Sequence, residues 1–397
     1  MEFRKVIIGD ICELVTDYVA NGSFKSLAEN VKYSDKGYAR VIRLVDYNNK
    51  FEKKDSIWVS KDAYEFLKKS KLDGGEIVIT NVGANLGTVF IVPKLDYPQT
   101  LGPNSIIIKT KENDQYIYYL LLSRYGQNKI KEIVSGSAMP KFNKTDFKNI
   151  IIQLPNIENQ NKIVKILSTL DKKIELNNQI NNNLLELGDT LIGKLNTDNH
   201  VRLGDLASVI SKGTTPTKKD IENSKEINNI KFIRVTDFNE FGIDKNNLQY
   251  IPEDVHTGKL KRSILKENDI LVSIAGTLGK IAIVTKKLDN SNTNQAVAFV
   301  RLKEINDRGY IYFYMKTKAF QDEIESKKVH AVQPNLSLTE LSNIKIIKID
   351  EDKKQIFNII LDKILQNVNQ NYTLMQLRDT LLPKLINGDI DLENINI

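Results

Sequence analysis

The sequence of 397 residues contains few of the side chains that build disulfides and metal sites. It has a single cysteine, Cys12, and its three histidines, His200, His256 and His330, are scattered. One cysteine excludes an internal disulfide, and this composition excludes a cysteine-rich zinc or iron–sulfur site. Such cysteine usage is typical of a reducing compartment, so we predict a cytoplasmic protein without a metal site.

Long hydrophobic runs are also missing. The sequence has no apolar run of about 18 residues, and its mean hydropathy is −0.32, so it predicts no membrane span. Residues 1–10 mix charged and apolar side chains and do not show the apolar core of a signal peptide. The net charge of +7 is weak support for nucleic-acid binding, because it does not say where the charge lies.

The motifs of common catalytic sites are absent as well. No Gly-x-Gly-x-x-Gly follows a predicted strand, and no Asn-Pro-Pro-aromatic stretch of an amino-methyltransferase is present. The loop Gly276-Thr277-Leu278-Gly279-Lys280 only imitates a phosphate loop, because Ile274 and Ile281 stand where that loop needs glycine and a hydroxyl residue. We therefore predict that the chain is not an enzyme, has no catalytic residue and binds no cofactor itself.

What the sequence does contain is an internal repeat of about 195 residues. Six blocks recur in the same order, at offsets between 190 and 195. Residues 6–11 recur at 201–206, for example, and residues 189–195 recur at 379–385. Repeats with a fixed period are the mark of a duplicated structural unit, so the chain is predicted to be a tandem duplication.

Each repeat combines a globule with a long helix. About 150 residues carry short β-branched runs bounded by Gly, Asn and Asp, which are typical of strands in an α/β globule. The next 35 to 45 residues lose Gly and Pro, and their apolar positions alternate spacings of four and three, as in a coiled coil. The predicted parts are a globule at 1–155, a long helix at 156–199, a second globule at 200–349, and a second helix with a tail at 350–397.

The two helices are too long to be absorbed by one small domain. Residues 160–194 and 354–384 would span about 52 and about 46 Å at about 1.5 Å per residue. We expect them to pack antiparallel, like a coiled coil, with the repeats related by a pseudo-two-fold axis and the globules at opposite ends. Aligning the repeats also predicts that the second helix is four residues, about one turn, shorter.

Two asparagines would lie near the crossing of these helices. Counting the apolar seam forward places Asn177 and Asn371 at equivalent positions close to each midpoint. We hypothesise that they face each other and fix the helix register, as a buried polar seam residue can. The alternative is that both point to solvent in an asparagine-rich protein.

Polar, glycine-rich loops are the candidate functional elements, because both repeats carry them. Their hydroxyl, amide and cationic groups are the types that read base edges and contact phosphates. The candidate DNA-binding residues are Asn21, Ser23, Lys25, Arg43, Asn81, Asn85, Ser137, Lys141 and Asn143 in the first repeat, and Lys212, Thr214, Thr215, Arg234, Thr277, Lys280, Gln295, Gln333 and Asn335 in the second.

Over its whole length the sequence resembles the specificity (S) subunit of type I restriction-modification systems. The resemblance rests on the block Leu381-Leu382-Pro383-Lys384-Leu385, the turn Gly213-Thr214-Thr215-Pro216, the Gly-x-x-Gly loops, and the helix opening Gln160-Asn161-Lys162-Ile163-Val164. Two positions depart from it. Asn21-Gly22-Ser23-Phe24 stands roughly where the second repeat has its Gly-Thr-Thr-Pro turn, and Gly193 stands where the second repeat has Pro383.

The resemblance implies that each globule is a target recognition domain for one half of a bipartite site in double-stranded DNA. The helices would set the spacing and dock two modification subunits, which would bind S-adenosylmethionine and methylate adenine. Restriction subunits that use ATP would join them. Two alternatives stay open: a coiled-coil scaffold that binds protein partners, and a self-sufficient DNA methyltransferase or nuclease, against which the missing motifs argue.

Overall fold

The computed structural model describes residues 1–53, 55–195, 199–326 and 335–392. The chain divides into two compact units. The first unit is Met1–Asp171 with Gln376–Ile397, and the second unit is Lys172–Met375. The division falls within both long helices, so each unit consists of one globule and a segment of each helix.

The first globule is a mixed α/β structure. Its strands are β1 (Phe3–Ile7), β2 (Cys12–Asp17), β3 (Ala39–Ile42), β4 (Ile57–Val59), β5 (Lys71–Leu72), β6 (Ile77–Thr80), β7 (Val89–Ile91), β8 (Gln99–Leu101), β9 (Ser105–Thr110) and β10 (Ile151–Pro155). Its α-helices are α1 (Ile8–Ile11), α2 (Phe24–Asn30), α3 (Leu44–Asn48), α4 (Lys61–Phe66), α5 (Asp114–Leu122), α6 (Arg124–Glu132) and α7 (Lys144–Lys148), and 3-10 turns lie at Tyr18–Asn21 and Lys68–Ser70.

Two four-stranded sheets form the centre of this globule. The order β2-β9-β6-β7 is antiparallel throughout, whereas β4-β3-β8-β5 contains the parallel pair β3–β8. Strand β6 is apolar at successive positions because both of its faces are buried. Ile77 and Ile79 pack with the helices α5 and α6, and Val78 packs with Ile42 and Leu101 of the other sheet.

The second globule follows the first long helix, α8 (Ile157–Gly193). Its strands are β11 (His200–Arg202), β12 (Ala207–Lys212), β13 (Asn228–Ile233), β14 (Phe238–Asn239), β15 (Gly242–Ile243), β16 (Gln249–Pro252), β17 (Ile270–Ser273), β18 (Ile281–Ile283), β19 (Asn292–Thr293), β20 (Val297–Leu302) and β21 (Lys345–Ile347). Its α-helices are α9 (Leu203–Leu206), α10 (Lys218–Glu222), α11 (Glu253–Thr257), α12 (Arg308–Lys316), α13 (Lys318–Ser326) and α14 (Leu338–Asn343). Its 3-10 turns are Val235–Asp237, Lys261–Ser263, Lys286–Leu288 and Ile305–Asp307.

The second globule repeats the topology of the first. Its sheet β12-β20-β17-β18 has the same order as β2-β9-β6-β7, and its β16-β13-β19 corresponds to β4-β3-β8, including the parallel pair. The antiparallel pair β11–β21 likewise corresponds to β1–β10. The predictions of an α/β fold and of a tandem repeat are therefore confirmed.

The second long helix is α15 (Glu351–Asn387), and its length differs from the prediction. Both long helices have 37 residues, so the expectation of a shorter second helix is wrong. Four residues are missing before the repeated Asp-Thr-Leu block, as the alignment indicated. However, α15 continues beyond Pro383 to Asn387, whereas α8 ends at Gly193. The extra turn carries Leu385 and Ile386, which are buried in the core of the first unit.

Within the second unit, the two long helices pack antiparallel. Asn177 contacts Asn371, and Asn181 contacts Asn367, so positions advance along α8 as they decrease along α15. The predicted antiparallel packing is thus confirmed for the helix segments of this unit.

The two globules contact the helices in different ways. In the first unit, the Tyr119 hydroxyl donates to Asp171 Oδ2 at 2.6 Å, and Arg378 Nη1 donates to Asp171 Oδ1 at 2.9 Å. The second unit has Phe313 and Gly188 at the positions that correspond to Tyr119 and Arg378. An ideal Cβ on Gly188 would lie 2.3 Å from Phe313 Cδ1, so the absent side chain leaves the space that the ring needs.

We predict that Gly188→Ala destabilises the protein by about 1–3 kcal/mol, because the added methyl group overpacks the Phe313 ring. Urea unfolding measures the loss, and Phe313→Leu should recover part of it. Gly193→Ala in the same helix is the matched control, since nothing lies within 4 Å of its Cβ. Equal stabilities of the two alanine variants would contradict this packing.

Candidate nucleic-acid interface

Backbone hydrogen bonds bring several candidate loops of the second unit together. Thr214 N–H donates to Thr293 O at 3.1 Å, and Ile274 N–H donates to Ala296 O at 2.8 Å. Leu336 N–H donates to Ile274 O at 2.9 Å. We call residues 212–216, 275–280, 294–296 and 335 the second loop cluster. The lateral pairing of β12, β20 and β17 explains the convergence, because these loops follow or precede neighbouring strand ends.

The first unit holds two of its loops together in a similar way. Gly83 N–H donates to Pro140 O at 2.9 Å, and Phe142 N–H donates to Asn81 O at 3.1 Å. The Asn81 amide closes the contact by donating to Phe142 O at 3.0 Å. We call residues 81–87 and 135–143 the first loop cluster.

A glutamine on a helix holds a glycine loop in both units, residues 83–87 in the first and 276–279 in the second. Gln127 Nε2 donates to Gly87 O at 3.0 Å and to Leu121 O at 2.8 Å. Gln321 Nε2 donates to Gly279 O at 2.9 Å and to Met315 O at 2.8 Å. Both glycines have positive φ, which favours a residue without Cβ. The sequence reasoning missed these glutamines, although their spacing of 194 residues is within the range of the repeat offsets.

Two candidate arginines have structural partners at equivalent positions. Arg43 Nε donates to Asp46 Oδ2 at 3.1 Å, and Arg234 Nη2 donates to Asp237 Oδ1 at 3.1 Å. Asp46 and Asp237 also accept the backbone N–H of the respective arginine. These contacts fix the turn after β3 and β13, so part of each guanidinium's donor capacity is already used. A DNA contact by either arginine stays a prediction.

Candidate amides are also engaged within the protein. Asn21 Nδ2 donates to Ser70 Oγ at 2.8 Å, and Asn21 Oδ1 accepts from Lys69 N–H at 2.8 Å. In the second loop cluster, the Thr215 hydroxyl donates to Gln295 Oε1. These bonds orient the loops, and they leave the second lone pair of each oxygen and the Gln295 amide donors available.

The other candidates have exposed side chains. Ser23 and Asn143 also cap the short helices α2 and α7, which places them at the start of a helix. The exposed candidates are Ser23, Lys25, Asn85, Ser137, Lys141, Asn143, Lys212, Thr214, Thr277, Lys280 and Asn335. Gln333 lies outside the described residues. Exposure makes these groups available to a ligand, and their role in DNA binding stays a prediction.

The structure places Asn177 and Asn371 against each other, as the sequence predicted. Asn177 Nδ2 donates to Asn371 Oδ1 at 2.8 Å, and both residues are buried. Asn371 Nδ2 donates in turn to Asn178 Oδ1 at 2.8 Å. One turn away, Asn367 Nδ2 donates to the buried Asn181 Oδ1 at 2.8 Å. Fixing of the helix register by this asparagine cluster, residues 177, 178, 181, 367 and 371, stays a prediction.

The described residues contain no group of three or more histidine, cysteine or acidic side chains arranged to hold a metal ion. Burial raises the pKa of Cys12 to about 11, with a smaller contribution from Asp114, so its thiol stays protonated at neutral pH. Among all the described residues, no helix combines the length and the hydropathy that a membrane span requires.

Comparison with known proteins decides the family. The model of the type I restriction modification DNA specificity domain matches twice, at residues 1–186 and 198–374. The chain belongs to this family. The two matched regions together cover most of the sequence and correspond to the two repeats.

Curated relatives of this specificity-domain protein match over most of its length. The type I restriction enzyme MjaIX specificity subunit of Methanocaldococcus jannaschii is 25% identical over 350 residues, which cover 81% of this chain and 79% of the relative. The type I restriction enzyme HindI specificity subunit of Haemophilus influenzae is 20% identical over 412 residues, which cover 81% of this chain and 88% of the relative.

A solved structure shows the same fold. The S subunit of a type I restriction-modification system from M. genitalium superimposes with a TM-score of 0.54 at 16% identity, covering 97% of this chain and 96% of that chain. At this identity the likeness concerns the fold alone.

We predict that Asn177→Leu destabilises the protein by about 1–3 kcal/mol, because it leaves the buried Asn371 Oδ1 without its donor. Asn371→Leu should have a similar effect, and the double variant should depart from additivity by more than about 0.5 kcal/mol. Thermal unfolding measures all three. Asn183→Leu, at an exposed position of the same helix, is the control and should change stability by less than about 0.5 kcal/mol. Neutral and additive effects at 177 and 371 would contradict the register hypothesis.

Proposed function

We propose that this protein is the DNA-recognition subunit of a type I restriction-modification complex, and that each globule reads one half of a bipartite site. The observation that carries the proposal is the duplicated loop architecture within a specificity-domain family member. Both units use a glutamine on a helix to hold a glycine loop, and both hold that loop next to a second polar segment. Two similar but not identical reading surfaces suit two different half-sites.

The loop clusters offer the chemistry that base reading requires. Amide groups such as Gln295 pair with adenine through a donor and an acceptor, and cations such as Lys280 pair with guanine or phosphate. Hydroxyl groups such as that of Thr277 can bond to a base edge or to a phosphate. Backbone bonds preorganise the loops, so less conformational entropy is lost when they bind.

The partners would supply the chemistry that this chain lacks. The relatives are named specificity subunits of restriction enzymes, which supports assembly with other subunits of such a system. We propose that two modification subunits dock on the helical region, bind S-adenosylmethionine and methylate adenine, and that ATP-dependent restriction subunits join them. The chain itself would contribute recognition and no catalytic group.

We predict that changing the second loop cluster alters one half of the methylated motif and leaves the other half intact. The test variant carries Lys212→Gln, Thr214→Val, Lys280→Gln and Gln295→Ala. Each lost bidentate base contact should weaken discrimination by about 1–3 kcal/mol, roughly 5- to 150-fold. Sequencing of methylated adenine in cells that express the complex reads both halves.

The matched control is a first-loop-cluster variant with Ser137→Ala and Lys141→Gln, which should affect the opposite half of the motif. Both variants change only exposed side chains, so thermal unfolding should show little change. Equal relaxation of both halves by either variant would contradict independent reading by the two globules.

We also propose that the long helices set the spacing of the half-sites. Removing residues 178–181 and 367–370 shortens both helices and keeps Asn177 and Asn371 in the chain. At about 1.5 Å per residue the loss is about 6 Å, or about 2 base pairs at 3.4 Å each. Methylation sequencing should therefore show a spacer shorter by about 2 base pairs, and an unchanged spacer would refute the ruler role.

A further inference from the structure

A cluster of three lysines lies beside the second long helix, outside the candidate loops. Lys231 comes from β13, Lys245 follows β15, and Lys287 lies in a 3-10 turn. Two of them share one aromatic ring: Lys245 Nζ is 5.7 Å and Lys287 Nζ 5.4 Å from the centroid of Tyr372 in α15. Lys231, Lys245 and Lys287 are called the lysine cluster below.

We propose that the lysine cluster and the cavity beside it bind a phosphate group of the DNA backbone. The proposal rests on the proposed function of DNA recognition and adds to it a contact site outside the candidate loops. It is specific to the second unit, because the first repeat has Arg40 at the position of Lys231, and Arg40 is buried in an ion pair with Asp46.

The side chains of Lys231 and Lys245 donate their hydrogen bonds to uncharged oxygens. Lys245 Nζ donates to the Asn369 amide oxygen at 2.7 Å, and Lys231 Nζ donates to Lys287 O at 2.6 Å. Both acceptors are neutral, and none of the three lysines forms an ion pair with a carboxylate of the described residues. Ammonium groups held this close repel each other, and an anion between them would relieve the repulsion.

The pKa of Lys245 reflects the same repulsion between charges. The pKa of Lys245 is lowered to about 8. Burial is the largest cause, and the positive charges of Lys287 and Lys231 add to it. A bound phosphate would favour the charged form and raise this pKa. The lysine is therefore placed to gain interaction energy when an anion arrives.

A cavity of about 140 Å³ adjoins Lys245 and supplies additional donors. Its polar lining includes Asn178, Asn239 and Asn246. The Asp244 carboxylate also lines it and opposes an anion, and its Oδ1 accepts the Asn246 N–H at 2.9 Å. The rest of the lining is mainly apolar, so Lys245 and the asparagine amides are the groups of this cavity that an anion would contact.

The position of the cluster in the sheet favours DNA over another anion. Strand β13 pairs in parallel with β19, with Ile233 level with Thr293, and the second loop cluster resumes at Asn294. Lys231 thus lies about three residues, or about 10 Å, back along the strand direction from that loop. A duplex carries one charge about every 1.7 Å of its axis, so a duplex on the loop would bring phosphates near the cluster.

The test uses the full complex with its modification subunits and a fluorescent duplex that contains the mapped site. The variant is Lys231→Gln, Lys245→Gln and Lys287→Gln, and affinity is measured across a range of salt concentrations. Loss of one phosphate contact should make the slope of log K against log salt shallower by about 0.9. Affinities for the mapped site and for a scrambled duplex should fall by the same factor, because phosphates carry no sequence information.

Two controls separate this effect from misfolding and from general charge loss. Arginine at the same three positions should retain the wild-type slope. Glutamine at Lys266, Lys303 and Lys348, exposed lysines of the same unit, should also retain it. Thermal unfolding identifies variants that have lost their structure. If the triple glutamine variant is one of them, the salt slopes of the single substitutions Lys287→Gln and Lys287→Arg are compared instead.

An unchanged slope in the folded glutamine variant would overturn the phosphate site. Loss of the modification subunits with an unchanged DNA slope would also overturn it, and would indicate an acidic protein segment as the ligand. Failure of the proposed function is distinguishable, because the wild-type complex would then show no salt-dependent preference for the mapped site over the scrambled duplex.

Discussion

The folded units depend on helices that each repeat supplies to the other. The core of the first unit includes Leu385 and Ile386 from the end of α15, and the core of the second unit includes Ile192 from the end of α8. Burying each such side chain stabilises a unit by about 1.5–3 kcal/mol. Because both units contain helix segments of both repeats, a change in helix pairing would expose apolar surface in both, and the duplication is best understood as two interdependent copies.

The asparagine cluster places a polar constraint within this apolar pairing. A buried amide costs free energy unless its donors and acceptors are paired, so we expect the amides to favour the alignment in which they meet. Asn177 and Asn371 are equivalent residues of the two repeats, and they contact each other directly. The same region adjoins the cavity of the lysine cluster, since Asn178 and Asn371 line it. Helix pairing and the proposed phosphate site therefore share residues.

Much of this arrangement could be predicted from the sequence, because repetition and periodicity report on packing. The two globules, the long helices and the contact between Asn177 and Asn371 follow from offsets and seam spacing. The extra turn of α15 did not follow, because Pro383 is normally a signal for a helix end, whereas tertiary burial of Leu385 and Ile386 outweighs the lost hydrogen bond. The structural roles of Asn21, Arg43 and Arg234 were also hidden, since their partners are identified only by the folded loops. The lysine cluster did not follow from the sequence, because its members come from three separate segments and the ring that two of them share comes from a helix.

Recognition by two loop clusters on one chain would make the target of methylation a property of this protein. The most direct measurement is genome-wide sequencing of methylated adenine in host cells with and without the gene. We expect a bipartite motif, with two short specific halves around an unspecified spacer. Its methylation should disappear when the gene is deleted. Methylation that persists unchanged, or a motif that proves continuous, would contradict it.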